Sequence, residues 1–454
     1  MSPDVVELQP ELLAHHLTEG RRVEAAAQFW LQAARRGLQR SGNLEATIQL
    51  RRGLQLLDRP EMPPQHQAMR LEFLTLLASA LISVKGPGTA EVERLYAEAI
   101  EICRSIPEAP GHFPVYWGWW RISRDFFVMQ RRANDLLTRA EARQDDALLL
   151  QAHHCQWASH FNTGDFAGSA AHIDQGLRIY AAGDYVSHAS LYGNHDAKVC
   201  GHGERALILW LTGHPRRALE EEQLSLGWAE RIAHAGSRSH ALDIALTHGV
   251  YRRDARRVLE LAESTIRFAE DQGFSNSEAK GFIYRGWAKA LLGDTAEGRR
   301  ELEAGIQRQR DIGTTEDFPI YYSMLAEALM LAGRIDAAMD CVQGARKDAA
   351  NTGLAIWMPE LWRWSGVLGR RTGSDAIAEA DLRQALEISR QQGARSLELR
   401  AAIDLADLKR AQGDISGALA LLEPLHHACA EGGETNDLSQ AAALIKELRD
   451  AGRH

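Results

Sequence analysis

A glycine stands at every twentieth position from Gly273 to Gly433, and few architectures can use such a lattice. No reaction needs glycines at that interval. A helix with its turn occupies about twenty residues, and glycine is the usual residue just past a helix end, where the backbone turns left-handed. Two such units make an antiparallel hairpin of about forty residues. The lattice therefore predicts an all-α solenoid of tetratricopeptide-like helix hairpins with period 40, coiled as a right-handed superhelix.

The columns beside the glycines support the same reading. Seven residues before the first turn of each unit lie Ala206, Leu246, Gly286, Ala326, Gly366 and Ala406. Five residues after it lie Ala218, Val258, Gly298, Ala338, Ala378 and Ala418. Small residues at matching points of paired helices let their axes approach closely. Ala233 and Arg253 occupy glycine columns one repeat early and mark where the strict pattern begins. Asp294 and Asp414 follow turn glycines and suit capping of the next helix. A last helix over about Asp437–Arg449, with Leu438, Ala441, Ala442, Ile445 and Leu448 inward, closes the stack.

Upstream the rhythm is looser. Residues 1–60 read as a helical segment of three helices, with Gly20 as a stop, Asn43 as an N-cap and a Pro-rich break at Arg59–Pro64. Residues 61–180 read as irregular helix pairs, including one capped by Thr89 and an aromatic run from Phe113 to Phe127. Residues 181–203 crowd Gly183, Gly193, Gly201 and Gly203 with His188, His195 and His202, which predicts an irregular connection or ligand-facing loop. Residues 204–454 carry the regular repeats.

At 454 residues the chain exceeds one compact core, as an elongated array does. Its 45% hydrophobic and 25% charged residues suit a globular chain, and a net charge of −9 argues against coating nucleic acid. Five widely spaced cysteines suit a reducing cytoplasm. The longest apolar stretch, Leu74–Val84, is about half a membrane span, so no membrane partner is expected.

The sequence carries none of the common catalytic signatures. Gly-Lys does not occur, so there is no phosphate-binding P-loop; Gly-x-Ser-x-Gly, His-Glu-x-x-His and Cys-x-x-Cys are also missing. The chain reads as a non-enzyme with no cofactor. His153, His154 and Cys155 are adjacent on a helix and splay about 100° apart, so they cannot share one metal among themselves. His195, Cys200 and His202 are the metal candidates, because a loop can converge ligands. His426, His427 and Cys429 read as packing and surface. Phe113, Trp117 and Trp120, and Trp357, Leu361 and Trp364, read as core stripes, whereas Trp119, Trp362, Tyr192 and His195 are the candidate partner contacts.

Several segments carry a family resemblance: Glu7-Leu-Gln-Pro-Glu-Leu-Leu-Ala-His-His16, Phe113-Pro-Val-Tyr-Trp-Gly118, Leu191-Tyr-Gly-Asn-His-Asp196 through Cys200, Tyr251-Arg-Arg-Asp254, Arg285-Gly-Trp-Ala288, Leu325-Ala-Glu-Ala328 and Ala394-Arg-Ser-Leu-Glu-Leu-Arg400. Through them the chain resembles the carboxy-terminal helical-repeat region of bacterial proteins that fuse a class III adenylate/guanylate cyclase, a STAND-type ATPase and a tetratricopeptide-like array. The family's cyclase aspartates and P-loop lie upstream of the matched region, and the match opens abruptly near Asp4. Continuous repeats without a catalytic motif predict a non-enzymatic interaction scaffold whose concave face binds a protein segment or small effector, and the resemblance implies a sensor that regulates an ATPase or cyclase in trans. The alternative it implies is a regulatory fragment of a split or internally started cyclase–ATPase polypeptide. The sensor part of a transcription regulator ranks third, since no helix-turn-helix is present.

Overall fold

The computed structural model describes residues 9–58, 63–109, 111–428 and 435–451. Among them every regular element is helical. The first helices are α1 (Pro10–Glu19), α2 (Val23–Gln39), α3 (Asn43–Leu56), α4 (Pro64–Lys85), α5 (Ala90–Ser105), α6 (His112–Arg121) and α7 (Phe126–Arg143). Next come α8 (Asp146–Asn162), α9 (Phe166–Ala182), a 3₁₀ turn (Val186–Ser190), α10 (Ala197–Leu211) and α11 (Pro215–Ile232). The repeats continue as α12 (Ala235–Tyr251), α13 (Ala255–Gln272), α14 (Ser275–Leu291), α15 (Thr295–Ile312), α16 (Phe318–Leu331) and α17 (Ile335–Thr352). The last are α18 (Met358–Arg371), α19 (Asp375–Gln392), α20 (Arg395–Ala411), α21 (Ile415–Ala428) and α22 (Asn436–Ala451).

The lattice is a property of the backbone before it is one of glycine. Every twentieth residue from Gly193 to Gly413 has positive φ, including Ala233 (φ 50°) and Arg253 (φ 58°), where glycine is absent. These two are breaks in residue type only; the helix ends there as it does in its neighbours. Arg21 and Ser41, and Gln144 and Gly164, repeat the interval upstream. From Gly164 to Gly193 the spacing is longer, and that excess is the irregular connection. The expected glycine at Gly433 lies outside the described residues.

The small-residue columns do pack the hairpins. A Cβ on Gly286 would stand 2.6 Å from the Gly298 carbonyl oxygen, and one on Gly298 would stand 2.4 Å from that of Gly286. Ala206, Ala218, Ala326, Ala338, Ala378, Ala406 and Ala418 are fully buried at the equivalent crossings. Thr89 accepts a hydrogen bond from the Val92 amide, and Asp414 accepts one from Gly417, as helix caps should. Asp294 makes no side-chain cap bond. Asn43 does not cap either: it is the first residue of α3, and its amide oxygen accepts from Asn194 at 2.8 Å. In α22 Ala441, Ile445 and Leu448 are buried as expected and Leu438 is half-buried, but Leu444 is buried in place of Ala442, which is exposed.

The solenoid closes tightly on itself. The Ala235 amide donates to Ser41 Oγ, Ser275 Oγ to the Val84 carbonyl, and Ser396 Oγ to the Trp210 carbonyl, across 194, 191 and 186 residues. The Ala355 amide reaches the Asn162 carbonyl at 2.9 Å with a similar separation. One superhelical turn therefore takes roughly 190 residues, and successive turns touch. The residues 181–203 are less irregular than expected: α10 already begins at Ala197, so Cys200, Gly201, His202 and Gly203 are helical. The helix span His66–Lys85 is apolar and long enough to cross a membrane by length and composition, but 67% of it is buried within the fold.

Candidate functional site

The coil encloses a cavity of about 180 Å³, walled by the first helices of successive hairpins and by α6. First helices face the coil axis, so equivalent positions on neighbouring repeats converge there. His154 comes from α8, Cys200, Glu204 and Leu207 from α10, His240, Asp243, Thr247 and Tyr251 from α12, and Lys280 and Tyr284 from α14. Glu316 and Asp317 precede α16, and Leu354 and Ile356 close the wall from the next turn.

The wall is dense in ionisable groups. Lys280 Nζ bridges Asp243 at 2.7 Å and Asp317 at 2.8 Å. Burial opposes the charge on Lys280, yet the two carboxylates hold its pKa well above the ordinary value. Burial pushes the Asp243 carboxyl up, whereas at Asp317 the Lys280 ammonium outweighs burial and pulls the carboxyl down. Thr247 and Tyr284 share a 2.7 Å hydroxyl hydrogen bond, and Arg121 faces Glu316 at 3.5 Å. Burial raises the Glu204 carboxyl to about 8 and lowers His240 to about 3.

Among the described residues, four polar atoms on this wall are buried without a protein partner: Glu204 Oε2, His240 Nε2, Asp243 Oδ1 and Tyr251 Oη. A buried polar atom left unpaired costs about 1–3 kcal/mol, so a cluster of them marks a place for water or a polar ligand.

Of the residues singled out from sequence, His195 and Cys200 do meet on this wall, together with His154. His202 does not join them. It sits two positions beyond Cys200 on the same helix, which rotates it roughly 200° away, and its Nδ1 pairs with Glu221 at 2.6 Å. The face-sharing position is i+4, where Glu204 stands 3.6 Å from Cys200 Sγ. That spacing was readable in the sequence; the approach of His154, 41 residues before its contact His195, was not.

The aromatic expectations divide. Phe113, Trp117, Trp120, Trp357, Leu361 and Trp364 are buried core. Tyr192 is 4% exposed and packs on Trp117, which corrects its reading as a partner contact. Trp119 and Trp362 are half-buried and lie under guanidinium groups, Arg132 at 4.3 Å and Arg346 at 3.2 Å, so neither is a bare anchor. His426 and His427 close α21, and Cys429 lies outside the described residues.

No protein-family model matches the chain. An uncharacterized protein of Rhizobium meliloti is 35% identical over 400 residues, which are 87% of this chain and 39% of that protein. The chain thus spans well under half the length of the relative it matches. Among solved structures, a Rap protein complexed with competence and sporulation factor is 12% identical with a TM-score of 0.51, over 86% of this chain and 98% of its own. A human IFIT1 dimer with PPP-AAAA aligns more loosely, at 14% identity and a TM-score of 0.42 over 91% of this chain and 87% of its own. The fold is a tetratricopeptide-like α-solenoid.

Proposed function

We propose that the chain is a non-enzymatic interaction and sensor scaffold that regulates a signalling ATPase or nucleotide cyclase in trans, in a reducing cytoplasm. The observation that carries the sensor part is the cavity with its unpartnered Glu204, His240, Asp243 and Tyr251 atoms. Its wall is built from residues of both superhelical turns, so a small polar effector held there bears on how the turns close. The effector is small because the turns leave only about 180 Å³, and polar because the unpaired atoms are. The resemblance to cyclase–ATPase fusion proteins supports the choice of regulated partner. Free thiols at Cys103, Cys155, Cys200 and Cys341 suit a reducing compartment.

The test is a thermal-shift screen of the purified full chain against small polar metabolites, followed by pull-down with ATPases and cyclases encoded beside it. The expected hit raises the melting temperature, loses its effect in Tyr251→Phe and Asp243→Asn, and alters partner binding. Nucleotide turnover by the chain alone overturns the non-enzyme reading, and a hit insensitive to both substitutions overturns the cavity as its site.

A second reading has its own support. The aligned region occupies 39% of its Rhizobium meliloti relative, which fits a regulatory segment of a longer polypeptide. An in-frame P-loop and cyclase region upstream of Met1 favours this reading, and a promoter directly upstream favours the stand-alone scaffold.

A further inference from the structure

The cavity wall contains a second arrangement, centred on three side chains that the effector reading does not use. The ligating atoms of His154, His195 and Cys200 all lie within 4.8 Å of one another, and they come from α8, the loop before α10, and α10. Their hydrogen bonds define which nitrogens carry protons. His195 Nδ1 is 3.2 Å from the Gly193 carbonyl oxygen. A carbonyl only accepts, so Nδ1 is the N–H and Nε2 is a lone pair. His154 Nδ1 lies 3.4 Å from Gln151 Oε1, and the Gln151 amide nitrogen faces His188 Nδ1 at 3.3 Å. With that amide turned so, His154 Nε2 is a lone pair as well.

The two bare nitrogens face each other at 3.2 Å. Lone pairs directed at one another over that distance repel unless a cation lies between them. Two imidazole nitrogens bound to one tetrahedral zinc, each about 2.05 Å from it, stand roughly 3.3 Å apart. Donation of the far ring N–H to a carbonyl is the usual support of a metal-bound histidine, and Gly193 and Gln151 both provide it. Cys200 adds a sulfur, and Glu204, 3.6 Å from it on the same helix face, offers a carboxylate for a fourth position.

We propose that His154 Nε2, His195 Nε2 and Cys200 Sγ form a binding site for a divalent transition-metal ion of the zinc type. Binding takes the Cys200 thiol to thiolate and releases its proton to solvent, while both imidazoles bind neutral. The ion ties α8, the 191–196 loop and α10 together at the point where the twenty-residue rhythm is interrupted.

The experiment strips the full chain with a chelator and titrates it with Co²⁺. The expected result is one ion per chain, strong visible bands of a tetrahedral site and a near-ultraviolet thiolate-to-cobalt band, all displaced by Zn²⁺. Cys200→Ser removes the near-ultraviolet band, and Cys155→Ser keeps it. Because a core variant can fail to fold, cadmium NMR of the wild-type chain reads the donor set without mutation. A shift for mixed nitrogen and single-sulfur ligation supports the site. An all-oxygen shift, or no stoichiometric uptake, overturns it and leaves His154 and His195 as a simple N–H···N pair. These readouts use the metal alone, so they stand or fall separately from the effector screen.

Discussion

Two of the buried charge clusters among the described residues differ in how completely they are paired. In α18, α20 and α22, Arg363 binds Glu360 at 2.7 Å and Asp404 at 2.6 Å. Arg400 binds Asp437 at 2.7 Å and the Tyr251 carbonyl of the previous turn at 2.8 Å. None of these five side chains has an unpartnered buried atom among the described residues. The cavity cluster around Lys280 likewise sets a cation among buried carboxylates, yet Asp243 Oδ1, Glu204 Oε2, His240 Nε2 and Tyr251 Oη lack partners among the described residues. The closed cluster is glue between repeats and between turns. The open one leaves buried polar atoms unpaired, and the proposed effector would supply their bonds.

The largest expected effect tests the closed cluster. Glu360→Ala leaves Arg363 and Arg400 short of an anion in a site only a few per cent exposed. Breaking such a buried pair costs about 3–5 kcal/mol, and the urea midpoint should fall accordingly. Burial opposes the Glu360 charge, but Arg363 and then Arg400 outweigh it and hold the carboxyl at about 2, against an ordinary 4.5. A depressed acid stabilises fully above its unfolded pKa and loses that contribution as pH falls through the folded one. Wild-type stability should therefore drop between pH 4.5 and about 2 by more than that of Glu360→Gln. Equal acid sensitivity in the two proteins would mean that Glu360 is not the anion holding the cluster.

Lys280→Met is the matching cut in the open cluster, and it should cost less, about 1–3 kcal/mol. The Asp243 carboxyl is already pushed up by burial, so it can take a proton when the ammonium is lost, and the cavity admits water. Urea unfolding of both variants at one pH checks the order. A loss as large as that of Glu360→Ala would make the two clusters equivalent and remove the reason to regard the cavity as a ligand site.

The legibility of this chain follows the same division. The hairpins, their turns and their small-residue crossings were readable because each depends on residues within forty positions, as with Gly286 against Gly298. Contacts between superhelical turns were not, since Ser275 to Val84 or Arg400 to Tyr251 spans far more than one repeat and leaves no local period. The cavity belongs to that second class. His195 and Cys200 are legible as a polar group in an unrhythmic stretch, but the same lack of rhythm hides that 197–203 is helical, which puts His202 on the opposite face. The burial of Tyr192 depends on Trp117 from α6 and leaves no local signal that sets it apart from a partner contact.

Gly393→Val tests the lattice with little packing involved. Its φ is 67°, and a Cβ there would meet nothing within 4 Å, so the cost is backbone alone. A β-branched residue forced left-handed should lose roughly 1–2 kcal/mol. An unchanged denaturation midpoint would show that the helix end can readjust without a left-handed residue.

The smallest effect runs in the other direction. Ala233 ends α11 at φ 50° with no glycine, and its amide donates to the Glu230 carbonyl as a left-handed cap does. If the twenty-residue rhythm belongs to the backbone, Ala233→Gly relieves a left-handed strain of roughly 1 kcal/mol. Part of that gain is offset by the greater freedom of glycine in the unfolded chain, so a net increase of about 0.5 kcal/mol is expected. The same substitution at Ala235, the first residue of α12, should give no gain, because no strained φ is relieved there. A rise at residue 233 alone would assign the early repeats, where the glycines lapse, to the same lattice as the later ones. A fall at both positions would mean that Ala233 is held by its neighbours and that the early repeats end their helices by a different rule.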